Sequence, residues 1–159
     1  MFREIRRQNR ILEDKDRIEE LLSGPEYGFL SLGITENGYA YGIPISYVYD
    51  KESQSLYFHC AMEGQKIDLM RKNSKVSFCI VGKIKPVASK FTTLYESVIA
   101  FGDVTLDLPD DEKHKALHLL VQKYSPGFEE LGETHIQKSW NRTYTFKIEI
   151  KHISAKAKN

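Results

Sequence analysis

Cysteine is scarce: Cys60 and Cys79 are the two in 159 residues, and no CxxC spacing occurs. Each sits in an apolar strand pattern, so both read as buried free thiols rather than as a disulfide or metal ligands. No apolar run approaches the roughly 20 residues that a membrane span requires. The segment FREIRRQNRILEDKD also lacks the apolar stretch of a secretory signal. A cytoplasmic protein without membrane association is therefore expected. Net charge is nearly absent too, at +1 from 23 Lys and Arg against 22 Asp and Glu, which leaves no electrostatic footprint for nucleic acid. The one locally basic stretch, Arg3, Arg6, Arg7 and Arg10, reads as a solvated or partner-docking arm. Glycines spaced as GxGxxG are missing, so a Rossmann dinucleotide site has no support, and no nucleophile elbow or triad signature appears. His114 and His118 are four apart on one helical pattern, but HKALH lacks the glutamate of a zinc-binding HExxH and no third ligand is evident.

What the chain does contain is an ordinary globular balance, 41% hydrophobic and 28% charged residues, in a length that suits one domain over residues 1–159 with a single core. Its most informative stretch is Leu56 to Lys72, LYFHCAMEGQKIDLMRK. Leu56, Phe58 and Cys60 alternate with Tyr57, His59 and Ala61 as in a half-buried strand, after which Ile67, Met70 and Arg71 fall at helical spacing. Gly64 and Lys66 stand between the two elements. A strand followed by a glycine-opened helix with a lysine in its first turn is a ready anion site, because free N–H groups, the helix dipole and an ammonium converge there. A cofactor phosphate is the anion this predicts.

Around that stretch the pattern predicts a mainly antiparallel barrel with peripheral helices. A short helix capped by Asp14 or Asp16 carries Ile18, Leu21 and Leu22 on its apolar face. Strands follow at 27–34 and 39–49, joined by a tight turn containing Asn37-Gly38. Pro44 lies inside the second and marks an edge, a bulge or a place where a ligand replaces a neighbouring strand. Further strands are expected at 54–61, 75–81, 92–107 with a bulge or kink at Gly102, and 143–153. Residues 82–89 read as a loop. Pro109 to Glu112 opens a helix bearing Ala116, Leu117, Leu120, Val121 and Tyr124, and 128–141 has no clear period and reads as loop with at most a short helix. Six strands with only short helical insertions argue against a doubly wound parallel sheet.

The ordered set GIPISYVYD, LYFHCAMEGQKIDLMRKNSKVSF, YESVIAFGDV and IEIKHISAK resembles the FMN-binding split-barrel family related to pyridoxamine 5'-phosphate oxidase, and within it the nitroimidazole-resistance (Nim) reductase-like branch. The resemblance implies a six-stranded split β-barrel and a homodimer with FMN in two clefts at the subunit interface. It places Pro44, Ile45, Ser46 and Tyr47 along the isoalloxazine ring through backbone groups, with His59, Cys60 and Ala61 beside the ring and ribityl chain. Gly64, Gln65 and Lys66 would hold the phosphate, and Ser97 and Val98 would contact the flavin from a neighbouring strand. His59 is the implied catalytic, substrate-proximal residue; read alone it is as well explained as a hydrogen-bonded structural histidine.

Trp140, the single tryptophan, is open between core plug, interface anchor and aromatic wall beside the flavin. Lys156, in Ser154-Ala155-Lys156, matches a terminal motif of the family and equally reads as a frayed basic tail. The implied activity is FMN-dependent reduction of nitroaromatic or other small electron acceptors. NAD(P)H is the obvious donor, although no motif demands a nicotinamide site. Alternatives are a flavin-storage module without turnover, a haem-binding barrel with His59 or His152 as axial ligand, and pyridoxamine-phosphate oxidation. The arginine- and serine-rich substrate-phosphate pattern of the last is not found in this chain.

Overall fold

The computed structural model describes residues 1–159. Its elements in chain order are α1 (Lys15–Ser23), β1 (Tyr27–Ile34), β2 (Ala40–Ser46), β3 (Val48–Asp50), β4 (Ser55–Cys60), α2 (Gln65–Lys72), β5 (Lys75–Val87), β6 (Thr92–Thr105), α3 (Asp110–Tyr124), α4 (Glu129–Ser139) and β7 (Tyr144–Lys158). Asp14 supplies the cap of α1, accepting from the Arg17 N–H, which satisfies one of the donors that a helix start leaves free. No helix is long and apolar enough to cross a membrane.

The seven strands form one antiparallel sheet in the order β2-β1-β5-β6-β7-β4-β3. β2 and β3 stand at opposite ends of that order, yet Tyr47 alone separates them in sequence. The sheet must therefore curl until its two ends meet, and the barrel is closed by the chain itself rather than by a complete hydrogen-bonded ladder. This is the split barrel expected from sequence, with a corrected strand count. The predicted strand at 39–49 breaks at Tyr47 into β2 and β3, so six strands become seven. The break has a packing cause: Tyr47 is fully buried, and its ring packs edge-on against Phe78 at 4.9 Å.

Alternation of inward and outward side chains fills the barrel with Leu30, Leu56, Phe58, Phe78, Ile80, Val98, Ala100, Phe146 and Ile148, among others. Phe58 stacks on Phe146 at 4.8 Å and meets Phe78 edge-on at 5.1 Å. A second cluster, including Val48, Tyr57, Leu117, Leu120 and Ile136, lies between the outer face of β3–β4 and the α3–α4 pair.

Three other readings of the sequence change. Residues 82–87 continue β5 beyond a register shift between Val81 and Ile84. Gly82 lets the strand pass close to α1: a Cβ there would come within 2.4 Å of Leu21 Cδ2 and 2.9 Å of Glu96 Oε2, so those side chains would have to shift. Residues 129–139 form α4, which packs against α3 so closely that a Cβ at Gly132 would stand 2.5 Å from Val121. Lys156 is not in a frayed tail: it pairs with Ser97 inside β7 and bridges to Ile11. At Gly102 the expected irregularity is present as a shift in the β6–β7 register between Phe101 and Gly102.

Candidate functional site

β4 delivers His59 and Cys60 to the end of the barrel, and the chain then turns through Ala61–Glu63 into α2. Gly64 caps the helix at φ 147°, a conformation that favours glycine. Its carbonyl accepts the Ile67 and Asp68 N–H groups at 3.0 and 3.2 Å, while Gln65 and Lys66 belong to the first turn, whose amides have no intrahelical acceptor. Nothing lies within 4 Å of the point where a Gly64 Cβ would stand, so space is open beside these donors. Burial of Ile67, Leu69 and Met70 seats α2 beneath β1. Arg71 anchors its other end with two bonds to Asp107 at 2.9 and 3.1 Å, and Asp107 is also held by the Tyr144 hydroxyl at 2.8 Å. The helix start is thus aimed by contacts at both ends.

The second part of the site is a gap in the sheet. β3 pairs with β4 as Val48↔Tyr57, Tyr49↔Leu56 and Asp50↔Ser55. Extending that register sets Ser46 against His59, Ile45 against Cys60 and Pro44 against Ala61, but no ladder joins them. β2 is bonded through its other edge to β1, with Phe29 opposite Pro44 and Tyr27 opposite Ser46. β4 is bonded through its other edge to β7, with Thr145 opposite His59 and Tyr144 opposite Cys60. Two open strand edges therefore face one another, with the start of α2 a few residues beyond the end of β4. Pro44 fits this edge because its missing N–H breaks no ladder bond.

Within the gap, Ile45 and Cys60 turn inward against the barrel core, while Pro44, His59 and Ala61 are exposed and Ser46 is half-buried. The Cys60 thiol is pushed up from its ordinary value by burial, and the Lys66 ammonium opposes that shift; Lys66 therefore acts electrostatically at the end of β4. His59 is held below its ordinary value, first by partial removal from water and then by His135 of α4. The shift favours the neutral imidazole, which keeps one N–H and one lone pair on offer. His135 is a site neighbour that sequence reading missed, because it lies in the stretch without clear periodicity.

Not all the predicted site residues come together. Tyr47 has its side chain in the core, and its backbone N–H and C=O are bonded to side chains of α3, so it closes the inner end of the gap rather than lining it. Ser97 and Val98 are not on a neighbouring strand. β6 is separated from β4 by β7 and from β2 by β5 and β1. Ser97 pairs with Val81 and Lys156, and the Val98 side chain is fully buried. Trp140 packs against the second cluster with Lys113 4.4 Å over its ring, which makes it a half-buried plug. His152 is stacked by Phe2 at 4.2 Å, and His114 bonds Glu133 at 2.8 Å to clasp α3 to α4.

No curated protein matches the sequence. Among solved structures, the chain resembles a candidate 5-nitroimidazole antibiotic-resistance protein of Bacteroides thetaiotaomicron, at 22% identity and TM-score 0.73, covering 92% of this chain and 86% of that one. It also resembles the flavocytochrome Anf3 of Azotobacter vinelandii, at 17% identity and TM-score 0.78, covering 98% and 72%. A third likeness is to a FAD- and haem-binding protein of Mycobacterium smegmatis, at 16% identity and TM-score 0.76, covering 94% and 74%. These likenesses concern the fold. The sequence itself matches the family model for pyridoxamine 5'-phosphate oxidase over residues 14–157, and the chain belongs to that family.

Proposed function

We propose that this chain binds FMN in the gap between β2 and β4 and acts as a flavin-dependent oxidoreductase on nitroaromatic or other small electron acceptors. The observation that carries the reading is the juxtaposition of two unpaired strand edges with the open start of a helix bearing Lys66. The residues present suit the group. Gly64 leaves open space beside the Gln65 and Lys66 amides, where a phosphate gains from the N–H groups, the helix dipole and the ammonium. The main-chain edges at Pro44–Ser46 and His59–Ala61 offer hydrogen-bonding groups to the polar rim of a planar ring. Bound FMN supplies the redox chemistry. The protein's part is to hold the phosphate, orient the ring and place the neutral His59 imidazole at the cleft.

The reading includes a homodimer. Ser97 and Val98 lie across the barrel from the gap, so their contact with a flavin needs a second copy, and the buried Val98 would contribute through its backbone. One domain spanning 1–159, a cytoplasmic location and NAD(P)H as donor complete the proposal. The solved relatives with flavin and haem in their names support a redox cofactor. They also motivate a second reading, in which the exposed and neutral His59 meets haem iron.

The visible spectrum of the purified protein separates the two, since flavin bands near ~450 nm support the first reading and a Soret band the second. An FMN titration of wild type and Lys66→Ala then tests the phosphate site. A charge-assisted hydrogen bond is worth about 1.5 to 3 kcal/mol, or roughly 10- to 100-fold in affinity, and equal affinities would place the phosphate elsewhere. A sedimenting monomer that binds FMN tightly would refute the dimer.

A further inference from the structure

Tyr47 is where the chain leaves one end of the sheet and joins the other. β2 stops pairing with β1 at Ser46, and β3 starts pairing with β4 at Val48. Tyr47 has no exposure, so its N–H and C=O cannot turn to water, and buried backbone groups of this kind are almost always paired. Two consecutive side chains at the end of α3 pair them. Lys123 Nζ donates to the Tyr47 carbonyl at 2.9 Å and to the Pro25 carbonyl at 2.7 Å. The Tyr124 hydroxyl accepts from the Tyr47 N–H at 3.0 Å and shares its proton between the Tyr47 carbonyl, at 2.9 Å, and the Glu26 carbonyl. The ammonium also stands 3.7 Å from the centroid of the Tyr47 ring. These contacts tie the strand-switch corner to the chain entering β1.

We propose that Lys123 and Tyr124 are a wedge that holds the barrel seam open, and so are positioning residues for the cleft between β2 and β4. The proposal rests on the flavin reading for its function and on the Tyr47 contacts for its geometry. With the wedge in place, both lone pairs of the Tyr47 carbonyl and its one donor are taken by side chains, so the corner cannot pair with β4. Without it, the β3–β4 register extended by one residue sets Tyr47 opposite Phe58 at the open edge of β4. Pairing that continued the β3–β4 register would bring Ser46 onto His59 and Ile45 onto Cys60 and close the gap. The Tyr47 ring, pinned beneath the ammonium, keeps the turn from unwinding toward solvent.

Tyr124→Phe keeps the ring and removes the hydroxyl; Lys123→Met keeps the stem and removes the donors. Both are made in the full chain, and amide hydrogen exchange is measured without flavin beside an FMN titration. In Tyr124→Phe the expected result is exchange at the Tyr47 amide faster by about tenfold or more, as follows from the loss of its one buried hydrogen bond. Exchange should slow at His59–Ala61 as the seam closes, β5–β6 should stay at wild-type rates, and FMN should bind about tenfold more weakly. Unchanged exchange at Tyr47 in Tyr124→Phe, unchanged exchange at His59–Ala61, or wild-type FMN affinity in both variants overturns the wedge. If neither wild type nor Lys66→Ala takes up FMN, the flavin reading fails, while exchange at Tyr47 and His59–Ala61 still judges the wedge by itself. Should Tyr124→Phe fail to fold, Lys123→Met, which frees the Tyr47 carbonyl and leaves its N–H on Tyr124, judges the wedge by exchange at His59–Ala61 and by FMN affinity.

Discussion

Replacing Lys123 with methionine gives a pH signature whose sign follows from its surroundings. Burial pushes this lysine down to about 8 in the folded protein, against an ordinary value of 10.5. Between those two pH values the unfolded chain binds the proton and the folded chain has released it, so stability rises with pH through the window. Full burial would make the gap worth about 3 kcal/mol. Lys123 is only half-buried, and its cation–π contact with Tyr47 favours the charged form, so a gain of about 1–2 kcal/mol is expected after allowing for solvent screening. The neutral amine keeps two N–H groups for its two carbonyl partners, so deprotonation need not break the corner.

Urea unfolding of wild type and Lys123→Met at pH 7, 8, 9 and 10 isolates this effect. Cys60 and Cys79 are both raised by burial, and groups of that sign lose stability as pH rises; subtracting the variant removes their common contribution. The wild-type value minus the variant value should climb by about 1–2 kcal/mol between pH 7 and 10. A flat or falling difference would refute the reasoning, because it would mean that Lys123 titrates like a solvated lysine.

His59→Ala should leave FMN binding intact while slowing reduction of a nitroaromatic acceptor by about 100-fold or more; an unchanged rate would remove His59 from the chemistry. Gly102→Ala should destabilise the protein by about 1–3 kcal/mol in urea unfolding, since the new Cβ would stand 2.2 Å from the Glu149 carbonyl oxygen and force β6 from β7. Wild-type stability would show that the ladder yields there without cost. Phe58→Ala should cost about 3–5 kcal/mol, because the ring is fully buried between Phe78 and Phe146. A loss under about 1 kcal/mol would mean that the barrel interior collapses onto the vacancy.

Much of this architecture was legible in the residues. Period-two alternation marks β4, and the change of period after Cys60 marks α2 together with the glycine that caps it. Pro44 marked an open strand edge because a missing N–H has few places to sit in a sheet. The failures share a cause, namely contacts remote in sequence. Tyr47 looks like one more residue of a continuous strand, and only its burial beside Phe78 explains the break. Gly82 looked like a loop residue, whereas it serves the close approach of α1. In α4 the buried positions are Ile136 and Ser139, too few for a helical stripe, so the helix and His135 on it went unread. Ser97 and Val98 stand on β6, apart from β2 and β4 in the sheet, because adjacency depends on strand order, which local pattern does not encode. Lys123 sits in the last turn of α3, where any cation suits the helix dipole, and its carbonyl partners at Pro25 and Tyr47 are far away in the chain.

The pairing of β4 also bears on how the molecule is made. β4 spans Ser55–Cys60, and the strand that bonds its long edge is β7, which joins Leu56 to Ile148 and Cys60 to Tyr144. During vectorial synthesis, β1, β2, β5 and β6 can form their hairpins as they emerge, but β4 has no ladder partner on that edge until Tyr144 and the residues after it leave the ribosome. For that interval Leu56 and Phe58 lack the cover of Phe146 and Ile148, on a strand whose free edge can recruit another chain. Nascent chains stalled before residue 144 should therefore depend on a holdase for solubility, and chains released beyond β7 should not.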